Sequence, residues 1–290
     1  MMIVEAKDLT KRYGDYEALH SLSFEVQEGS IVAIVGPNGA GKSTLIRLIA
    51  GMLKRTSGII RVFGKDPWSD YEAQRRISLV LDRTYLPQFL TVEEVLRDMA
   101  SKFGKTMSDV VPLLEEFSAS VFLKSKIKDL STGTKQKIQI IFSLIKDPSL
   151  VLADEPTANL DIASRFEVYN TFLELKERGV TIIISSHLAS ELLSISTHLL
   201  GINGGTLKYM NSVSTLIRDD LMEEFYVVVD NVKKAINASA GFKIKVKGNE
   251  IKVKGDLADF VRALTSRGVR ILYIRNSILE KSVMGELGWK

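Results

Sequence analysis

Two short stretches hold the residue types that could do chemistry on a phosphate. The first, Gly36-Pro37-Asn38-Gly39-Ala40-Gly41-Lys42-Ser43-Thr44, matches the pattern G-x-x-x-x-G-K-[ST] without a gap. Gly36, Gly39 and Gly41 are expected to turn the backbone tightly, with no Cβ in a ligand's way. Consecutive N–H groups then point inward as an anion-binding nest, reinforced by the positive end of the following helix. Lys42 is expected to reach the β- and γ-phosphates of a nucleoside triphosphate, and the Ser43 hydroxyl to hold Mg²⁺. The second stretch is Asp154-Glu155. Asp154 can hold Mg²⁺ opposite Ser43, directly or through a water. Glu155, expected to face the other way at the strand exit, can orient or activate a water. The plainer alternative is a paired acidic strand end with neither role.

These residues need a parallel sheet to bring them together. Ile31–Val35 reads as a strand running into the loop, and Thr44–Ala50 as the helix leaving it. Leu150-Val151-Leu152-Ala153 reads as a buried strand that delivers the two acids at its carboxyl end, the edge where open α/β sheets bind ligands. Val180–Ser185 is a third apolar strand and delivers Ser186-His187. A lone histidine at a strand end is commonly a structural hydrogen bonder. Here it emerges beside the acids, where contact with a γ-phosphate is the alternative.

Around this centre, Ile3–Ala6 and Leu22–Val26 alternate as strands on either side of a turn at Gly14-Asp15. Tyr13 stands 29 positions before Lys42. It can pack on the sheet as a turn residue or stack on an adenine face. Gly58–Gly64 holds a short strand, and Ile77–Leu81 another after a helical turn. Thr91 with Glu94 forms a capping box opening a helix over Val92–Phe103. A second helix covers Ser108–Phe117, kinked by Pro112. These helices, at about residues 85–130, are expected to form a subdomain to one side. Leu130–Gln136 leads into a helix over Ile138–Ile145. Another covers Ile162–Arg178, with Ile162, Phe166, Tyr169 and Leu173 along one side.

At 290 residues and about 150 per domain, two domains are expected, here 1–211 and 212–290. The composition, 45% hydrophobic and 26% charged, is that of an ordinary globular protein. No apolar run approaches the ~18 residues of a membrane span, and the first residues do not read as a signal peptide. The absence of cysteine excludes disulfides, thiol catalysis and cysteine metal sites, and fits a cytoplasmic protein. His20, His187 and His198 are too scattered for a metal cluster. A net charge of +4 says little about nucleic acid.

The motifs at 36–44, 130–136, 150–157 and 159–161, together with His187, resemble those of the ATP-binding cassette (ABC) ATPases over about residues 1–211. The discriminating feature is the signature-like Leu130-Ser131-Thr132-Gly133-Thr134-Lys135-Gln136 between the loop and the acids. The resemblance implies an α/β P-loop cassette that binds and hydrolyses ATP with Mg²⁺. It implies that residues 36–44 cradle the phosphates, Tyr13 stacks on adenine, Glu155 is the catalytic base and His187 the switch histidine. It implies that Ser131 and Gly133 meet the γ-phosphate held by a second subunit, and that Asp161 communicates across that dimer. Two motifs depart from the pattern, the signature and the family's Q-loop, named for its glutamine. Thr132 stands where the family has Gly, and Thr134 where it often has Gln. The Q-loop position, nine before Thr91, falls on Asp82. A carboxylate there can contact Mg²⁺ but repels phosphate oxygens without it. Gln88 is the alternative.

From Phe225 onward a new order begins. Strand, helix, a hairpin over Gly248-Asn249, helix Asp256–Arg267 and strand Val269–Arg275 give βαββαβ, a ferredoxin-like α+β pattern. Ile244, Val246, Ile251 and Val253 are expected inward, and Lys243, Lys245, Lys247, Lys252 and Lys254 outward. Such a face can meet nucleic acid or anionic lipid, or simply block edge pairing. Ser277–Met284 resembles the tail of many ABC exporter ATPases.

A single cassette without a membrane span is therefore expected to be the ATPase subunit of an exporter. It would be peripheral on the cytoplasmic face of the membrane, working with a separate permease and a second ATPase subunit, with nucleic acid not expected as a partner. The alternative is a soluble regulator that uses ATP to clamp nucleic acid or protein.

Overall fold

The computed structural model describes residues 1–158, 160–186, 192–213, 225–255 and 257–275. It divides into two compact units, Met1–His187 with Ile195–Met210, and Leu188–Ser194 with Asn211–Lys290.

The first unit holds two sheets. In the antiparallel one, β1 (Met2–Tyr13) lies between β2 (Tyr16–Gln27) and β4 (Ser57–Val62). Gly14-Asp15 turns β1 into β2, so Tyr13 stands directly opposite Tyr16. The second sheet has the order β5 (Ile77–Leu81), β6 (Leu150–Asp154), β7 (Thr181–Ser186), β3 (Ile31–Val35), β8 (His198–Asn203) and β9 (Thr206–Ser212). From β5 to β8 the pairing is parallel. Strands β3, β6 and β7 are buried along their whole length, which is why they read as continuous apolar runs. Because they are parallel, Val35, Leu81, Asp154 and Ser186 end on one edge.

Helix α1 (Lys42–Ile49) contributes Leu45, Ile46, Leu48 and Ile49 to a core shared with Val32 and Ile34 of the parallel sheet and Val4 and Leu22 of the antiparallel one. The loop that opens α1 is thus anchored from both sides. After α2 (Tyr71–Arg75) come α3 (Val92–Lys102) and α4 (Met107–Glu116), with Pro112 inside α4. The Thr91 capping box forms as expected: Glu94 N–H donates to Thr91 Oγ1 at 3.2 Å, and Thr91 N–H donates to Glu94 Oε2 at 2.7 Å.

Two helical expectations need correction. Helix α5 spans Thr132–Leu144, six residues earlier than its apolar run suggests. Ser131 caps it, its Oγ accepting from Thr134 N–H at 3.1 Å, so the signature forms the cap and first turn of the helix. Helix α6 (Ile162–Glu177) buries Val168, Tyr169, Phe172 and Leu175, whereas Phe166 and Leu173 are half-buried. Spacing alone left two neighbouring stripes available, and packing on the core selected one. Among the described residues, no helix is long and apolar enough to cross a membrane.

The second unit has β10 (Phe225–Val229), α7 (Val232–Ala238), β11 (Lys243–Lys247), β12 (Glu250–Lys254), α8 (Leu257–Thr265) and β13 (Ile271–Arg275). The antiparallel order β11-β12-β10-β13 is the ferredoxin-like one. Phe260 packs edge-on against Phe225 and Phe242, with ring centroids 5.7 and 5.0 Å apart. Ile251 and Val253 are fully buried. Val246, expected inward, is 42% exposed, because β11 is the sheet's edge strand. The expected exporter-like tail at 277–284 lies outside the described residues.

Candidate functional site

The loop from Gly36 to Gly41 leaves β3 and turns directly into α1, whose N-cap is Gly41 with φ +107°. The glycines are required here chiefly by the protein's own packing. A Cβ on Gly36 would meet the Ile202 carbonyl oxygen at 2.1 Å, and one on Gly41 would meet Leu19 Cδ2 at 2.6 Å. Only at Gly39 does the added atom find open space. The expectation that all three keep Cβ atoms out of a ligand's way is corrected accordingly. Two of them let the loop lie against β2 and β8.

Lys42 is buried at the base of the loop. Its ammonium donates to the carbonyls of Gly36 at 2.8 Å and Pro37 at 3.2 Å, and lies 3.6 Å from Glu155 Oε1. Burial pushes the Lys42 pKa below the usual lysine range, and the Glu155 and Asp154 carboxylates offset part of that shift. Ser43 Oγ donates to Asp154 Oδ1 at 3.0 Å. Loop and acids thus meet although strand β7 lies between β6, which carries the acids, and β3, which carries the loop.

Strand β7 fills the gap with Ser185. Its hydroxyl donates to Asp154 Oδ1 at 2.7 Å and accepts from Glu155 N–H at 3.0 Å. Continued alternation would send Glu155 to the face opposite Asp154. Instead Glu155 has φ +50°, a left-handed conformation that costs a residue with a Cβ about 1–2 kcal/mol. That turn ends β6 and brings the Glu155 carboxylate back toward Lys42. Both acids therefore serve one site.

These groups border a cavity of about 400 Å³ lined by Tyr13, Tyr16, Ala18, residues 38–44, Asp82, Glu155 and Ala158. Most of the cradle expected from the sequence, Asn38, Gly39, Ala40, Gly41, Lys42, Ser43 and Thr44, is in this lining, while Gly36 and Pro37 turn their carbonyls to Lys42. Tyr16 is a second aromatic that sequence reading missed. It follows from the hairpin register, which sets it across from Tyr13.

Asp82 follows the end of β5 and lines the cavity, half-exposed. Gln88 does not line it, and its side chain instead donates to the Leu86 carbonyl at 2.8 Å. Two buried glutamines of α5, Gln136 and Gln139, both donate to the Leu81 carbonyl at 3.1 Å, and Gln139 Oε1 accepts from Tyr85 N–H at 3.2 Å. The signature helix is thereby tied to the loop that carries Asp82.

Ser131 and Gly133 are not in this cavity. Gly133 packs against the start of α6, where an added Cβ would stand 3.0 Å from Ser164 Oγ. Asp161 caps that helix, accepting from Ser164 N–H at 3.0 Å and from Ser164 Oγ at 2.8 Å. His187 lies outside the described residues.

The donor set suits a hard cation. The Ser43 hydroxyl and the Asp154 carboxylate present oxygen ligands beside the 36–44 loop, the set Mg²⁺ prefers when phosphates and waters complete its shell. Asp82 is a further carboxylate on the same cavity.

The family model described as ABC transporter matches residues 19–158. A lantibiotic transport ATP-binding protein of Streptococcus pyogenes is 33% identical over 190 residues, 66% of this chain and 82% of that protein. An uncharacterized ABC transporter ATP-binding protein of Bacillus subtilis is 27% identical over 290 residues, 97% of this chain and 93% of that protein, so the likeness extends past residue 211. A solved ATP-binding cassette of an ABC transporter, in its ADP conformation, shares 26% identity with a TM-score of 0.67, covering 76% of this chain and 96% of that one.

Proposed function

Because this chain belongs to the ABC transporter family as an ATP-binding, ATP-hydrolysing subunit, we propose that residues 36–44 hold the ATP phosphates and that Glu155 activates the attacking water. Lys42 sits where it can answer charge that develops on the β- and γ-phosphate oxygens, once it exchanges its loop carbonyls for them. Water forms the new bond to phosphorus as the bond to the β-phosphate oxygen breaks, and the water's proton passes to the Glu155 carboxylate. Ser43 and Asp154 would hold Mg²⁺, which supplies neutralising charge on the phosphates, and Asp82 adds a third oxygen donor from the cavity wall. Tyr13 takes the adenine, with Tyr16 across the hairpin. His187, two residues beyond Ser185, is assigned to the γ-phosphate on the family resemblance.

A second subunit completes the site. Ser131 and Gly133 lie outside their own chain's cavity, at the N-terminus of α5, where the dipole and free N–H groups suit another subunit's γ-phosphate. Closing and reopening of that pair would drive a separate membrane-spanning permease on the cytoplasmic face. Similarity to the lantibiotic-transport subunit supports export as the direction.

The observation that carries this reading is the meeting of Ser43 with Asp154 and of Lys42 with Glu155 in one nest. The test is nucleotide binding and phosphate release by wild type and Lys42→Ala. Loss of both in the variant is expected, and undiminished hydrolysis would overturn the assignment. Recovery of a multispan membrane protein with the tagged chain tests the partner.

A further inference from the structure

The second unit carries a charge excess that the ATPase chemistry does not use. Between residues 225 and 275 there are eleven lysines and arginines against four acids, an excess of seven in a chain whose whole net charge is +4. Outside that stretch the chain is net acidic. Five of these cations stand on the β11–β12 hairpin. Lys243, Lys245, Lys247 and Lys254 are exposed and Lys252 is half-buried. Register places Lys243 directly opposite Lys254 and Lys245 directly opposite Lys252, so the four share one face of the sheet, where they line a shallow concavity.

Edge protection explains only part of this. Lysines on an outermost strand discourage pairing with other chains, and β11 is such a strand. Strand β12 is not, since it is paired with β11 on one side and β10 on the other. Lys252 and Lys254 have no edge to protect. Like charges set directly across a ladder also destabilise it, and two such pairs occur here in succession.

We propose that the outer face of the β11–β12 hairpin docks onto an anionic lipid bilayer. The cations are lysines, compact hydrated charges suited to a diffuse plane of headgroups, and arginine forks that read phosphate geometry are absent from the hairpin. Single-stranded nucleic acid would need an open aromatic face for its bases. Among the described residues, the Tyr226 ring on this side of the sheet has the Lys252 ammonium over it, 5.5 Å from its centroid. The proposal goes beyond the transport reading and does not rest on it.

The test is sedimentation of the full-length protein with phosphatidylcholine vesicles, with and without phosphatidylglycerol. Binding to the anionic vesicles alone is expected, weakening as salt shortens the screening length. The triple variant Lys243→Gln, Lys245→Gln, Lys254→Gln is expected to lose about fivefold in affinity per lysine, with ATP hydrolysis unchanged. The control Lys233→Gln, Lys234→Gln removes charge from α7 and is expected to bind nearly as wild type. Equal binding to both vesicle types, an undiminished triple variant, or an equal loss per lysine in the control would overturn the proposal. Tighter binding to polyuridine than to anionic vesicles at the same salt would overturn it in favour of nucleic acid.

Discussion

Ser185 Oγ donates to Asp154 Oδ1 at 2.7 Å, from the strand that separates the acids from the phosphate loop. The same oxygen accepts the Glu155 N–H. One hydroxyl therefore fixes the Asp154 carboxylate and the strained backbone of its neighbour. Ser185→Ala is expected to lower ATP turnover by about 10–100-fold, as for outer groups that orient ligating carboxylates, with the fold intact. Steady-state phosphate release beside a thermal melt checks this. Unchanged turnover would show that Ser43 alone is enough to orient Asp154.

Glu155→Gln keeps the size of the side chain and removes its basicity. Nucleotide binding is expected to persist while turnover falls by about 10²–10⁴-fold. Size-exclusion chromatography with ATP is expected to show a dimer that accumulates because hydrolysis no longer releases it. Turnover at the wild-type rate would remove Glu155 from the chemistry.

Glycine positions in the loop differ in what they tolerate. Gly41→Ala combines φ +107° with a contact at 2.6 Å to Leu19, whereas Gly39→Ala at φ +80° meets nothing within 4 Å. Gly39→Ala should cost only the conformational term, about 1–2 kcal/mol. Gly41→Ala should cost more and shift α1 away from the phosphates. Denaturant unfolding of the two variants checks the order, and equal losses would contradict it.

Asp82 places a carboxylate where phosphate oxygens are expected. With Mg²⁺ chelated, Asp82→Asn should tighten ATP binding, by at most about fivefold for a half-exposed group. With Mg²⁺ present the gain should vanish or reverse. Titration of a fluorescent ATP analogue under both conditions distinguishes the cases.

A carboxyl pair joins α4 to α6. Arg178 Nη2 donates to Glu116 Oε2 at 2.9 Å, and the other oxygen of that carboxyl, Glu116 Oε1, is buried. A hydrogen bond to Glu116, with burial and that residue's charge, raises the Glu174 pKa above the usual glutamate range, against a smaller pull from Arg178. A pKa raised by folding gives stability that is complete below the ordinary carboxyl range and lost as pH rises through the raised value. Glu174→Gln, which can donate at any pH, is therefore expected to raise Tm at neutral pH and not in acid. Melting curves at the two pH values decide it, and a lower Tm at neutral pH would refute it.

Much of this is legible along the chain because the groups concerned are neighbours in it. Residues 36–44 hold their glycines, lysine and serine in one continuous loop, Thr91 caps its own helix, and the acids sit at the end of an apolar run. The βαββαβ order of the second unit follows from alternation and turn residues in the same way. What folding adds comes from strands far apart in sequence. Ser185 reaches Asp154 only because β7 lies between β6 and β3, and no local pattern encodes that order. Glu155 faces Lys42 because its φ is positive, where alternation points it away. Gln136 and Gln139 find the Leu81 carbonyl across more than fifty positions, and Val246 is exposed because β11 takes the edge. Local chemistry writes the parts of the site. Strand order and one strained backbone angle set the distances between them, since these depend on which surfaces pack together and not on which residues adjoin.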